Sequence, residues 1–320
     1  MHEFEFIASL MAPLAAGDNA ALALTDDAAL LSVPPGKQLV VSKDAIVEGV
    51  HFTGQETPAQ IAQKLLRVNL SDLAAMGAVP YGYFLALMLP KSTNEAWLTS
   101  FAQGLRADQE AYGLTLLGGD TTHTSGPLCL SATMMGMLPS GQALLRSGAK
   151  PGDAIYISGT VGDAAIGLGV AQKASRTDHD LYFLDRYHLP QPRVKLGEAL
   201  RLLATACMDV SDGLLQDLGH MARHSEVSAT IHLAHIPLSA QARTVFASMK
   251  DAPARILAGG DDYELLFTAP PAAEAKLSAI AKTSGTQITR IGEITAGSGV
   301  RALDAGGAEM NLGAQGYQHF

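Results

Sequence analysis

The chain has 320 residues, 48% of them hydrophobic and 17% charged, which is long enough for two domains with large cores and excludes intrinsic disorder. A net charge of −9 argues against nucleic acid as a partner, and it suits a phosphate-bearing substrate only where cations bridge the like charges. No apolar run approaches the roughly 18 residues of a membrane span. The start Met1-His2-Glu3 is acidic where a secretory signal is basic, and Cys129 and Cys207 lie in apolar runs outside any CxxC pair. The expectation is a cytoplasmic chain with reduced thiols and no membrane partner.

Residues 4–16 read as a helix bent by Pro13. Residues 22–31 read as two short strands around the acidic turn Asp26-Asp27. Residues 38–44 form a strand ending in Ser42-Lys43-Asp44, followed by a loop whose chemical residues are Glu48 and His51. A lone histidine is more often structural than catalytic. Thr57-Pro58 opens a helix over 59–66. The stretch Asn69-Leu70-Ser71-Asp72-Leu73-Ala74-Ala75-Met76-Gly77 then reads as a short helix of its own. Ser71 would cap it, Gly77 would end it, and Asp72 would sit in its first turn.

A strand over 81–89 follows, then an amphipathic helix over 94–112 that stops at Gly113. A buried strand over 114–117 runs into Gly118-Gly119-Asp120-Thr121, and 128–138 is another strand. This alternation implies an α/β domain with a mixed sheet. The Gly- and Pro-bearing segment 146–153 is the best linker, which places a boundary near Gly148 and gives domains 1–148 and 149–320.

The second half opens with a strand over 154–158 and a glycine-bearing turn, Gly159 to Asp163, into a helix over 164–172. That turn fits neither GxxxxGK[ST] nor GxGxxG, and Ala164, Ala165, Gly167 and Gly169 read more simply as close helix packing. Helices over 181–187 and 194–204 precede Asp209-Val210-Ser211-Asp212-Gly213, where Ser211 could cap a helix over 214–224. His220 and His224 are spaced for one helix face but lack the Glu of HExxH, so a solvated face is the simpler reading. A strand over 230–233, a Ser239-capped helix to 249, Gly259-Gly260-Asp261-Asp262, and strand, helix and strand over 265–294 complete the half.

No Walker A loop, Rossmann fingerprint, kinase catalytic loop, GxSxG or HExxH occurs, and the single SxxK at Ser147–Lys150 lacks its partner motifs. What remains is a series of carboxylates where strand patterns meet Gly or Ser turns, few with a basic neighbour in sequence. Such a set repels itself unless divalent ions neutralise it. Oxygen ligands alone point to Mg²⁺ and phosphate chemistry.

Taken together, Val41-Ser42-Lys43-Asp44, Glu48-Gly49-Val50-His51-Phe52, Asn69 to Gly77, Gly118-Gly119-Asp120-Thr121, Arg146-Ser147-Gly148-Ala149, Asp209-Val210-Ser211-Asp212-Gly213 and Gly259-Gly260-Asp261-Asp262-Tyr263-Glu264-Leu265 resemble thiamine-monophosphate kinase. The tail Gly316-Tyr317-Gln318-His319-Phe320 fits the same pattern. The family belongs to the aminoimidazole ribonucleotide synthetase-like superfamily. The resemblance implies a two-domain α/β (α+β) subunit: an N-terminal mixed-sheet domain that pairs across a homodimer axis and a C-terminal α/β sandwich. It implies transfer of the ATP γ-phosphoryl group to thiamine monophosphate, in line and with no covalent nucleophile.

Carried over by position, Asp27, Ser42, Asp44, Asp72, Asp120, Asp209 and Asp212 would hold several Mg²⁺ ions, and Lys43 occupies a further metal-contact position. Tyr112, Gly119, Asp120, Arg146 and Ser211 would contact ATP, while His51, Asp261 and Tyr317 would contact thiamine monophosphate. The chain departs from the pattern at Ala23-Leu24-Thr25, where Gly-x-Gly is usual, at Lys43 for Thr, and at Asp261 for Glu. Alternatives are another ATP-dependent superfamily enzyme, such as aminoimidazole ribonucleotide synthetase, or a nucleotide-binding paralogue without turnover. Selenophosphate synthetase fits less well, since no reactive Cys lies near the N-terminus.

Overall fold

A computed structural model describes residues 3–173 and 177–310. The chain forms two compact units, one of Met1–Leu73 with Ala78–Gly141, the other of Ala74–Gly77 with Gln142–Phe320, each over its described residues.

The first unit begins with α1 (Glu3–Phe6), which passes into a π turn over Ile7–Met11 and a 3₁₀ turn over Ala12–Leu14 containing Pro13. The two short strands expected over 22–31 are absent among the described residues. Asn19–Leu24 instead wind into 3₁₀ turns, started by the Asp18 carboxylate, which accepts the Ala20 N–H at 2.8 Å. Leu24, Ala29 and Leu31 pack singly against Ala21, Leu117 and Met135. Local turn bonds thus satisfy a backbone whose apolar spacing suggested pairing.

The sheet of this unit runs β1 (Lys37–Val47), β4 (Cys129–Pro139), β2 (Val79–Pro90), β3 (Thr115–Thr124) across its width. β4 is antiparallel to both neighbours, and β2 and β3 are parallel. Their crossover is α3 (Glu95–Tyr112), opened by Asn94 Oδ1 on the Trp97 N–H and closed by Gly113 at φ 69°. The mixed sheet is the one expected.

α2 (Pro58–Ala75) corrects one reading: Ser71 and Asp72 do not open a new helix but lie in the last turns of a single 18-residue one. Ile61, Leu65, Leu66, Leu70 and Leu73 are all buried, so the apolar stripe runs unbroken through the polar pair. Gly77, at φ 71°, does terminate the helix as expected.

The second unit holds a six-stranded sheet in the order β10 (Gly299–Leu303), β7 (Ser228–His232), β9 (Ile288–Thr295), β5 (Ala154–Ser158), β8 (Leu265–Ala269), β6 (Ala206–Asp209). All pairs are antiparallel except β10 with β7. Alternate residues of the central strands enter two cores. Ile155, Ile157 and Leu266 pack with α7 (Leu214–Ser225), α8 (Ala240–Phe246) and α9 (Ala252–Ala258). Tyr156, Leu265 and Phe267 pack with α6 (Val194–Leu200) and α10 (Glu274–Ser284). Helices on both faces make an α/β sandwich, as expected. α4 (Asp163–Ala171) and α5 (Asp178–His188) pack closely, because Gly167 brings its backbone against Phe183, where a Cβ would lie 2.1 Å from the carbonyl oxygen. α9 and β10 were not visible in the sequence pattern.

Candidate active site

In the first unit, strand alternation along β1 places Ser42 and Asp44 on one face, half-buried, and the exposed Val41, Lys43 and Ala45 on the other. The Ser42 hydroxyl donates to the Asp72 carboxylate of α2. Three residues before Asp72, buried Asn69 uses Oδ1 to accept the Asp44 N–H at 3.1 Å, and its own amide donates to the Leu65 carbonyl. Ser131 of β4 donates to the Asp44 carbonyl oxygen at 2.9 Å. The fold therefore brings Ser42, Asp44 and Asp72 together. Burial, reinforced by the Asp72 charge, pushes the Asp44 carboxyl up to about 6. Lys43 shares the strand but faces away from this pair, leaving its backbone carbonyl as the group that could serve a metal.

Asp27, Gly119 and Asp120 line one cavity of about 430 Å³, together with Asp26 and apolar side chains that include Met11 and Leu24. Gly119 lies opposite Leu85 of β2, where a Cβ would fall 2.3 Å from the Leu85 carbonyl oxygen. Its glycine identity is thus a packing requirement as well as an opening to the cavity. Tyr112 does not line this cavity. It ends α3, with the Arg67 guanidinium 5.9 Å from its ring centre, and Arg67 in turn grips Asp108 through two N–H groups.

His51 is tightly set. Its Nδ1 accepts the Val47 N–H at 3.1 Å, its own N–H donates to the Val47 carbonyl at 2.9 Å, and the buried Lys64 ammonium donates to its carbonyl at 3.0 Å. An accepting Nδ1 fixes the tautomer with the proton on Nε2.

In the second unit, β6 ends at buried Asp209, and Val210-Ser211-Asp212-Gly213 turn into α7. Ser211 does not cap that helix. Asp217, in the helix's own first turn, accepts the N–H groups of Ser211, Asp212 and Gly213 at 3.1–3.2 Å. Sequence reasoning missed Asp217; its one signal was an acidic residue four positions after a Ser-Asp-Gly turn. Burial and the nearby Asp212 push it up to about 7, against the pull of those three amides.

Arg146 lies close enough to α7 for its charge, after burial and Arg223, to hold His220 below the ordinary histidine range. His220 Nδ1 sits 2.6 Å from an Arg223 nitrogen, which accounts for it without zinc. Asp261 is drawn to the same turn: its N–H donates to the Ser211 carbonyl at 2.9 Å, and the Tyr263 N–H donates to the Val210 carbonyl at 2.8 Å. Gly260 makes that approach possible, since a Cβ there would lie 2.4 Å from the Ser211 oxygen. Tyr317 falls outside the described residues.

Among the described residues, no group of three His, Cys, Asp or Glu side chains is placed to hold a metal unaided, and no helix is long and apolar enough to cross a membrane.

Residues 25–138 match the N-terminal domain of AIR synthase related proteins, and residues 150–304 match the C-terminal domain. The chain is 45% identical over 310 residues to a thiamine-monophosphate kinase of Caulobacter vibrioides, covering 95% of this chain and 87% of that protein. The chain belongs to the thiamine-monophosphate kinase family. It is accordingly an enzyme of the kinase class. The crystal structure of thiamine-monophosphate kinase from Stenotrophomonas maltophilia superposes with a TM-score of 0.86 at 42% identity, covering 94% of this chain and 96% of that one. AaThiL, complexed with AMPPCP and TMP, superposes with a TM-score of 0.79 at 29% identity, covering 92% and 91%.

Proposed function

We propose that the protein transfers the γ-phosphoryl group of ATP to thiamine monophosphate, giving thiamine diphosphate and ADP, and that it works as a cytoplasmic homodimer. Family membership supports the reaction class, and AaThiL, complexed with AMPPCP and TMP, pairs a nucleotide with the acceptor that this reaction needs. The observation that carries the reading to these residues is the approach of Asp44 and Asp72, two acids on adjacent elements, with Asp44 pushed up to about 6. Such a pair is costly alone and favourable around a cation.

The donor set fits Mg²⁺. All side chains are oxygen donors, and paired carboxylates suffice because Mg²⁺ commonly takes one or two and completes its shell with water and phosphate. Asp27, Ser42, Asp44, Asp72 and Asp120 would hold it in the first unit, with Lys43 through its carbonyl, and Asp209 and Asp212 in the second. Bound there, Mg²⁺ supplies charge neutralisation for the phosphoryl oxygens. The chain's own groups do the positioning. Arg146 pairs with phosphate, Gly119 lets phosphate approach the strand, and Ser211 and Tyr112 contact the nucleotide. His51 presents Nε2–H as a donor to thiamine monophosphate, Asp261 accepts from it, and Tyr317 stacks on a thiamine ring. No side chain is needed as a covalent nucleophile, because phosphoryl transfer depends on alignment and charge. In this reading residues 1–148 carry most nucleotide and metal contacts and the dimer surface, while residues 149–320 supply Asp209, Ser211, Asp212 and Asp261.

The test is ADP release from Mg-ATP with thiamine monophosphate, against free thiamine, thiamine diphosphate and no acceptor. ADP formed with the monophosphate alone establishes the reaction. ATP binding without acceptor-dependent ADP points instead to a different superfamily activity or a paralogue without turnover.

A further inference from the structure

Between Gly259 and β8 the chain alternates. Asp261 and Tyr263 are half-buried and take left-handed φ of 66° and 50°, while Asp262 and Glu264 are buried at 2% and 0% exposure. Two non-glycine residues in that region cost about 1–2 kcal/mol each and persist only where the surroundings over-determine them. The surroundings here are charged. Glu264 accepts from Arg193 Nε at 2.6 Å, from Arg186 Nη2 at 3.0 Å and from the Ser158 hydroxyl at 2.6 Å. Ser158 in turn accepts the Leu265 N–H at 2.8 Å. Asp262 accepts the Gly162 N–H at 2.8 Å, at the start of α4. Asp163 receives the hydroxyls of Ser239 and Thr160 and lies 3.9 Å from Arg186 Nε.

Three buried carboxylates thus meet two guanidiniums. A network of this kind is a poor source of stability, since apolar packing of equal volume does as well or better. Its second use is to fix one register. The register fixed here is that of the segment Asp261 to Glu264, anchored at one end by the bonds to Glu264 and at the other by the Asp261 N–H on Ser211.

We propose that Arg193 and Arg186, through Glu264, are positioning residues that hold Asp261 in its left-handed conformation, and so set recognition of thiamine monophosphate rather than the chemical step. This rests on the reading of Asp261 as a substrate-contacting residue. The excess of buried acid agrees with it: Asp262 is pushed up to about 8 by burial, against the pull of the Gly162 N–H and the Arg186 charge, with Asp163 and Glu264 adding smaller pushes.

Steady-state kinetics on the full chain test this with Arg193→Lys, Asp261→Ala and the double variant. Lysine keeps the charge of Arg193 but cannot span Glu264 with two fixed N–H groups. Arg193→Lys is expected to raise KM for thiamine monophosphate about tenfold, with kcat and KM for ATP within about twofold. Asp261→Ala raises the same KM, and Arg193→Lys adds nothing further in its presence. If Asp261→Ala raises KM and Arg193→Lys does not, or if Arg193→Lys lowers kcat and weakens both substrates alike, the positioning role is wrong while the substrate site stands. If Asp261→Ala itself leaves KM unmoved, the reading of the site falls and the proposal with it. Should Arg193→Lys not fold, amide exchange on the wild type decides. The Asp261 and Tyr263 amides should exchange as slowly as those of β8 before thiamine monophosphate is added. Fast exchange that slows only with the ligand overturns the proposal.

Discussion

Asp44 and Asp72 approach each other across β1 and α2, and Asp27 and Asp120 are exposed on the rim of one cavity. Asp163, Asp262 and Glu264, by contrast, are almost wholly buried and are set against Arg186 and Arg193. Among the described residues Asp27, Asp44 and Asp120 form no ion pair, whereas Glu264 forms two. The second group carries its cations in the chain. Asp27, Asp44 and Asp120 have none of their own among the described residues and stay where water or an external ion can reach them. An acid-rich sequence is therefore two populations, and only the uncompensated one suits a metal-dependent phosphate reaction.

Removing one member of the compensated group should give the largest loss of stability. Glu264→Ala takes from Arg193 the carboxylate it grips and leaves the buried Arg186 with Asp163 at 3.9 Å, and should destabilise the fold by about 3–5 kcal/mol. Urea unfolding checks this; a loss below about 1 kcal/mol would mean that water reaches Arg186 and Arg193, and the contrast between the regions would weaken. Around Asp44 the effects should be reversed. Asp72→Asn should cut turnover about 10³-fold or more, because the proposed metal-ligating oxygen is lost, while stability stays level or rises as Asp44 is relieved of its neighbour's charge. Near wild-type turnover would remove Asp72 from the metal set.

A smaller, pH-dependent effect sharpens the same comparison. Asp262 is raised from 3.8 to about 8 by burial. The folded form therefore holds a proton that the unfolded chain releases, and stability should fall as pH rises from about 4 toward about 8. Asp262→Asn keeps the acceptor for the Gly162 N–H and should flatten that slope. Parallel urea midpoints at pH 5 and pH 9 would show it, and an identical slope in both proteins would place the titration elsewhere.

The elements legible in the sequence were those whose own periodicity decides them. α3 announced its amphipathic stripe and its stop at Gly113, and β1, β2 and β4 showed plain apolar runs. The misreadings arise where a neighbouring group, near or far in sequence, overrode the expected signal. Ser71 and Ser211 both resemble helix caps, yet the first is buried inside α2 and the second is replaced by Asp217. At the candidate site the acids at strand ends were legible as a set. The side on which Lys43 points was not, because it depends on the register of β1 with β4 rather than on residue type. The Glu264 network was also out of reach, since Arg186 and Arg193 lie 78 and 71 residues from their partner.

The smallest effect concerns the turn before Asp26. The resemblance implies glycine at 23 and 25, and the structure separates the two positions. Ala23 takes φ 55°, between Leu22 at 47° and Leu24 at 58°, so a Cβ there opposes the backbone it must adopt. Thr25 sits at φ −106°, an ordinary value, and its hydroxyl donates to the Leu22 carbonyl at 2.8 Å. Ala23→Gly should therefore stabilise the protein by up to about 1 kcal/mol, the relief of the left-handed alanine less the added freedom of the unfolded chain. Thr25→Gly should destabilise it by about 1 kcal/mol through loss of that hydrogen bond. Opposite signs in thermal melts would show that only position 23 retains the need for a glycine. A gain from both changes would mean that the threonine, like the alanine, is tolerated there and stabilises nothing, and the turn ahead of the Asp27 cavity would then be strained along its whole length.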